Sequence, residues 1–262
     1  MAETQFDRER MLLGDEAMQV LAASHVAVFG VGGVGSFAAE ALARAGVGAI
    51  TLIDHDTVSL TNLNRQLIAL HSTIGMRKTD VMASRILDIN PACRVTNLPV
   101  FYEPECREDF FSRDFDYIAD CIDLVTCKLD LIPQATDRRI PILSALGTGN
   151  KLDPTLLRVT DISQTSGCPL ARVMRKELRS RGIRHLKGVF SPPLLPSWRP
   201  PPLVAAASLP VCHGSPPPPV SCWPAPLCGT SSDEGRRHRR TADPAGPPSA
   251  GLESGRSVPW HL

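Results

Sequence analysis

The 262-residue sequence predicts an α/β fold whose mostly parallel sheet is flanked by helices. Three observations carry this. Short apolar, β-branched runs alternate with segments of helical periodicity from residue 25 onward. The first run, 26–29, leads into Gly30, Gly32 and Gly35 at GxGxxG spacing, with Gly33 as an extra glycine. A second run, 50–53, ends at Asp54, 19 residues after Gly35. Strand, glycine loop, helix and acidic strand end make the first half of a Rossmann-type βαβ unit. The glycines permit a tight turn and let backbone N–H groups approach phosphate oxygens at a helix N-terminus. Asp54 stands where a carboxylate accepts ribose hydroxyls. A nucleotide site follows, and the nucleotide stays open at this point.

Taken in order, residues 7–23 place Met11, Leu12, Met18 and Leu21 between charges, which fits an amphipathic helix or a pair interrupted at Gly14. Arg8 and Arg10 lie at its start, where a cation is unfavourable to the helix dipole; the alternatives are an arginine held elsewhere by a phosphate and, favoured on spacing alone, a solvated one. After the strand at 26–29, residues 37–45 read as a helix stopped by Gly46. The segment TNLNRQ (61–66) follows Asp54, and its Asn62, Asn64, Arg65 and Gln66 can converge on one anion. Arg65 offers a planar fork of donors suited to phosphate. Residues 75–91 read as a helix with Val81, Ile86 and Ile89 on its apolar side and Lys78 in its first turn. Strands are expected at 95–100, 117–122, 140–144 and 156–160, with a loop and short helix at 101–114 and a helix at 129–138. Asp123 follows the strand at 117–122, at the sheet edge where ligands bind, and suits a magnesium ion on a triphosphate. Residues 170–187 read as a helix with Leu170, Val173, Met174 and Leu178 on one face and seven Lys/Arg against one Glu elsewhere. That basic face is either solvated or a phosphate contact for a nucleic acid, RNA in particular.

Composition divides the chain into residues 1–190, an ordinary globular segment, and a tail at 191–262. The tail holds 17 of the 24 prolines and no Lys, Ile, Phe, Tyr, Met, Asn or Gln. Most of the missing types have A/T-rich codons, so an out-of-frame translation of a G/C-rich gene from about residue 190 is expected. The alternative is a genuine Pro-rich disordered segment. In either case no element is expected past residue 190, and the RRHRR cluster at 236–240 belongs to the tail. Residues 1–190 carry 22 cations against 23 anions, so overall charge points to no partner. No run of about 18 apolar residues occurs, which argues against a membrane span. The charged N-terminus does not read as a signal peptide, so a cytoplasmic protein is expected. The eight cysteines form no CxxC pair and read as reduced thiols rather than a zinc site.

These motifs together resemble the ThiF, or ubiquitin-activating-enzyme-like, adenylyltransferase superfamily: GVGGVG, LIDHDTVSLTNLNRQ, the helix-borne GMRK and ADCID. FDRERMLLGDEAM, ALHSTIGMRKTDVMASRILDINP and LARVMRKELRSRGI are most similar to its bacterial tRNA threonylcarbamoyladenosine dehydratase subgroup. The likeness covers about residues 6–190. It implies ATP and Mg2+, with Asp54 on the ribose and Gly30, Gly32, Gly33 and Gly35 under the phosphates. Asn62 and Asn64 are carried over as nucleotide-binding, Arg65 and Lys78 as phosphate-handling, and Asp123 as the metal ligand. Arg8 matches an arginine that reaches the partner subunit's site, which implies a homodimer. The implied reaction is adenylation of a carboxylate: that of threonylcarbamoyladenosine at position 37 of tRNA, whose ring then closes with net loss of water. No acceptor cysteine is needed.

The rival activity is adenylation of the C-terminus of a ubiquitin-like sulfur-carrier protein, with that protein or a cysteine desulfurase as partner. A non-catalytic nucleotide-binding fragment or an NAD dehydrogenase is the reading from a different class. Two departures stand out. Leu124 replaces a small polar residue, and the family's further strands and helices give way to Pro-rich sequence, leaving the sheet incomplete.

Overall fold

A computed structural model of the chain describes residues 3–148 and 153–192, all within one compact unit. The tail from residue 193, on which the frame-shift and disorder expectations fall, lies outside the described residues. Two short helices come first, α1 (Asp7–Leu13) and α2 (Asp15–Ala23); of the two expectations, one helix or a pair interrupted at Gly14, the pair is found. Met18 is buried, but Met11 and Leu12 are 85% and 83% exposed, so the expected apolar face of α1 meets no core.

A single seven-stranded sheet follows: β1 (His25–Phe29), β2 (Ala49–Ile53), β3 (Arg94–Leu98), β4 (Tyr117–Asp120), β5 (Ile142–Ala145), β6 (Arg158–Asp161) and β7 (Lys187–Phe190). Their order is β3-β2-β1-β4-β5-β7-β6. All pairs are parallel except β6 with β7, which is antiparallel at the edge. Strand β7 is not among the expected strands; KGVF carries one lysine and one glycine in four residues and gains its place by inserting between β5 and β6.

Helices cover both faces: α3 (Gly35–Arg44), α4 (Lys78–Ile89), α5 (Arg107–Phe111), α6 (Val125–Asp137) and α7 (Pro169–Ser180). That is why β1 is apolar without alternation. Val26 and Val28 join one core cluster with Ala39, Ala43, Met82 and Ile86 of α3 and α4, while Ala27 and Phe29 join another with Phe110, Leu131 and Ala135 of α5 and α6. A third cluster seats α7 through Ala171, Met174 and Leu178 against Leu129 and Ile132 of α6.

Several boundaries differ from expectation, three of them near the site or on the basic helix. Strand β4 stops at Asp120; the Cys121 N–H still donates to the Phe29 carbonyl (2.8 Å), and the Cys121 carbonyl stands against Gly30 of the glycine loop. Helix α6 starts at Val125 rather than 129, and α7 ends at Ser180 rather than 187. On α7 the expected Val173 is 46% exposed, and Ala171 takes the buried place instead.

Candidate functional site

The sheet order reverses at β1, which pairs with β2 on one side and β4 on the other. A crevice beyond the strand ends at such a point is where open α/β sheets bind ligands. A cavity of about 590 Å³ lies there, lined from β1 and its loop by Phe29, Gly30, Gly32 and Gly33, and from the end of β2 by Asp54. Arg65, Gln66, Lys78 and Asp123 also line it, so the three charged residues proposed to share one ligand do border one space.

Local geometry explains the loop. Gly30 has φ +88°, and a Cβ there would stand 2.8 Å from the Cys121 carbonyl oxygen. At Gly35 a Cβ would lie 1.8 Å from the Gly30 carbonyl oxygen, so the start of α3 can pack this tightly only with glycine. No side chain caps the N-terminus of α3; the Ser36 N–H donates to the Gly32 carbonyl (3.1 Å), and the positive end of the helix still favours an anion there. The Val31 N–H donates to Asp54 Oδ2 (2.7 Å) and the Asp56 N–H to Asp54 Oδ1 (2.9 Å). A carboxylate has about four acceptor positions, so Asp54 retains capacity for a ribose hydroxyl.

Lys78 is buried to 5% exposure in the first turn of α4, with Nζ 2.7 Å from Asp56 Oδ2. His55 Nε2 lies 3.2 Å from Asp56 Oδ1, so Asp56 holds both groups at the cavity wall. The ligand atoms of Asp54, His55 and Asp56 lie within 4.8 Å of one another, but these contacts already engage them. Arg65 is exposed; its Nη1 donates to the Thr61 carbonyl and to Asn64 Oδ1, each at 3.0 Å. Gln66 Oε1 is buried without a hydrogen-bond partner at the cavity wall, an orphaned acceptor that a ligand's donor can satisfy. Asp123 is exposed and receives no hydrogen bond or ion pair among the described residues.

Several candidates stand back from the cavity. Asn62 is buried and accepts the Ser59 N–H on Oδ1 (3.0 Å), closing the turn that presents Arg65. Asn64 and Gly35 are not in its lining, and Arg8 is exposed on α1, away from it. Cys121 does line it, yet burial, reinforced by the neighbouring Asp120 charge, pushes its thiol up to about 12, so it carries no thiolate at neutral pH.

Two residues that sequence reasoning missed sit beneath this wall. Lys128 and Asp120 are fully buried, with Nζ 2.9 Å from Oδ2. The signal was Lys128 itself: with Leu131, Ile132 and Ala135 it occupies the buried stripe of α6, where a lysine needs an anionic partner.

The basic helix face is only partly a surface feature. Arg175 Nη1 donates to the carbonyls of Ile162 (3.1 Å) and Thr165 (2.8 Å). Arg181 donates to the Leu129 carbonyl, the acceptor that Pro133, lacking an N–H, leaves open inside α6. Arg172, Lys176 and Arg179, at i, i+4 and i+7 along α7, form no ion pair among the described residues, nor do Arg184 and Lys187.

A parallel sheet with a glycine loop at its switch point and cations gathered around one crevice defines a nucleotide-binding α/β protein. The ThiF family model matches residues 6–193, and the chain belongs to that family. Among similar proteins, the tRNA threonylcarbamoyladenosine dehydratase of Bacillus subtilis (strain 168) is 50% identical over 185 residues, covering 71% of this chain and 72% of the relative. The Escherichia coli (strain K12) protein of the same name is 47% identical over 169 residues, 64% of this chain and 63% of its own length. The crystal structure of E. coli tRNA N6-threonylcarbamoyladenosine dehydratase, TcdA, in complex with ATP superposes with TM-score 0.70 at 43% identity, over 73% of this chain and 82% of that one. No helix among the described residues is long and apolar enough to cross a membrane.

Proposed function

We propose that the chain activates a carboxylate by adenylation with ATP, and that the carboxylate belongs to threonylcarbamoyladenosine at position 37 of tRNA. The observation that carries this is the meeting of the glycine loop, Arg65, Lys78 and Asp123 around one cavity. In this reading Asp54 holds the ribose, and the loop N–H groups with Arg65 and Lys78 hold the phosphates. The substrate carboxylate attacks the α-phosphorus and pyrophosphate departs. Arg65 and Lys78 stabilise the charge that grows on the phosphate oxygens, which is positioning and electrostatics rather than acid–base work. The activated carboxyl is then displaced from within its own side chain, AMP leaves, and a ring closes with net loss of water. Asp123, a hard oxygen donor with no competing partner among the described residues, fits Mg2+. Bound there, Mg2+ supplies neutralisation of the triphosphate.

Two features support tRNA over a carrier protein. The stripe of Arg172, Lys176 and Arg179, without an ion pair among the described residues, suits a phosphate backbone, and the eight cysteines form no CxxC pair. Arg8 serves across a homodimer, in keeping with its exposed place on a helix whose Met11 and Leu12 have no core.

Pyrophosphate release tests the reading directly. The full chain is incubated with ATP and Mg2+ plus either tRNA bearing threonylcarbamoyladenosine or a ubiquitin-like sulfur-carrier protein. Release only with the tRNA is expected; release only with the carrier overturns the substrate. Asp123→Ala is expected to abolish release while thermal unfolding stays unchanged, and retained release removes the metal assignment.

A further inference from the structure

We propose that Lys128 is a positioning residue whose buried pair with Asp120 sets the loop that carries Asp123 into the cavity. The Asp120 carboxylate is a hub. Its Oδ2 accepts from Lys128 Nζ (2.9 Å) and from Ser144 Oγ (2.6 Å), while Oδ1 accepts the Ile122 N–H (3.3 Å). Lys128 Nζ also reaches Ser144 Oγ (3.2 Å) and the Asp120 carbonyl (3.4 Å). One carboxylate therefore joins the end of β4, the turn beyond it, β5 and the first turn of α6. Between Asp120 and Lys128 lie Cys121, Ile122, Asp123, Leu124 and Cys127, all of which line the cavity.

The hub is coupled to the phosphate side as well. The Cys121 carbonyl stands against Gly30, where a Cβ would lie 2.8 Å from it, so a loop that shifts also disturbs the glycine turn. Stability alone does not account for the pair. Desolvation offsets most of the attraction in a buried ion pair, and an apolar side chain would suit a stripe shared with Leu131 and Ile132. What the pair supplies is directional, many-point attachment, and the segment so attached is the one bearing the proposed metal ligand. This inference rests on the reading of Asp123 given above.

The test uses the full chain as Asp120→Asn/Lys128→Met, which leaves no lone charge buried, with Ser144→Ala as a milder variant that keeps the pair. Amide hydrogen exchange at residues 121–124 is expected to accelerate about tenfold or more, with β1 and β2 unchanged. The tightening of ATP binding by Mg2+, measured by calorimetry, is expected to fall about tenfold or more and kcat for pyrophosphate release to fall, while ATP affinity without Mg2+ holds within about threefold. Unchanged exchange at 121–124 in the folded double variant overturns the proposal whatever the nucleotide does. If the double variant loses cooperative unfolding, Ser144→Ala decides, with the same directions expected at about threefold and identity to the unsubstituted chain overturning the proposal. An unsubstituted chain whose ATP affinity ignores both Mg2+ and Asp123→Ala sinks the reading of the site and the proposal together. A responsive unsubstituted chain matched by its double variant sinks the proposal alone.

Discussion

Alanine at the four loop glycines should separate folding from nucleotide binding. Gly30 is in the left-handed region at φ +88°, which costs an alanine about 1–2 kcal/mol. Its methyl would also press on the Cys121 carbonyl oxygen at 2.8 Å, adding about 1–3 kcal/mol of overpacking. At roughly 2–4 °C per kcal/mol for a domain of this size, Gly30→Ala lowers Tm by about 5–20 °C. Gly35→Ala is worse, since 1.8 Å to the Gly30 oxygen is inside any allowed contact, and the cost exceeds the ~4–5 kcal/mol that marks exceptional substitutions. Gly32 and Gly33 differ: the nearest atoms to an added Cβ, Gln66 Nε2 and Arg65 Cγ, are 3.6 Å away, an ordinary contact. Alanine there restricts the unfolded chain and leaves stability unchanged or raised by about 0.4–1 kcal/mol. Both glycines line the cavity, however, and a methyl displaces the phosphate from a backbone donor. Losing one charged hydrogen bond, about 1.5–3 kcal/mol, weakens ATP binding about 10- to 150-fold. Thermal unfolding and ATP calorimetry on the four variants read both quantities. ATP binding at full affinity by Gly32→Ala and Gly33→Ala would show that the loop does not cradle phosphate. An unchanged Tm for Gly30→Ala would refute the close approach to Cys121.

Three further outcomes are expected. Leu124 occupies the N-cap of α6 with no side-chain cap, so Leu124→Ser should stabilise by about 1 kcal/mol and raise the urea midpoint without changing its slope. His25 has its pKa lowered from 6.5, chiefly by burial and against the pull of its hydrogen bond to the Asp114 carbonyl. The unfolded chain therefore takes up the proton first, so stability holds above roughly pH 6.5 and declines as pH falls below it. Tm measured across that range should show this decline, and His25→Gln should flatten it. Iodoacetamide at neutral pH should modify exposed Cys106 and spare Cys121, whose thiol is pushed up to about 12; peptide mapping that finds Cys121 labelled first would contradict its neutral state.

What could be read from the sequence was what is local. The strand–glycine–helix unit, the break at Gly14 and the first-turn place of Lys78 depend on residues a few positions apart, and each stands where the pattern puts it. Partners far along the chain were not legible. Arg175 and Arg181 belong to one charge run by composition, yet they answer carbonyls of Ile162, Thr165 and Leu129 that only the fold brings near. Met11 and Leu12 look like core residues by period, but nothing among the described residues covers them. Strand β7 is too short and too polar to announce itself, and exists because two neighbours present unpaired edges to it.

Lys128 carries the signal of a distant partner within its own helix. A cation in phase with buried Leu131, Ile132 and Ala135 cannot be left unpaired, so the pattern itself demands an anion from another element. The anion was already in view, in the same ADCID motif that supplied Asp123, three residues before it. Two carboxylates so close in sequence invite the same reading, but the fold gives them opposite surroundings. Asp120 is enclosed and held by Lys128 and Ser144, while Asp123 stands open toward the cavity with no donor of its own among the described residues. The enclosed one cannot take part in binding because its oxygens are committed, and that commitment is what leaves the other fixed in place and free to bind.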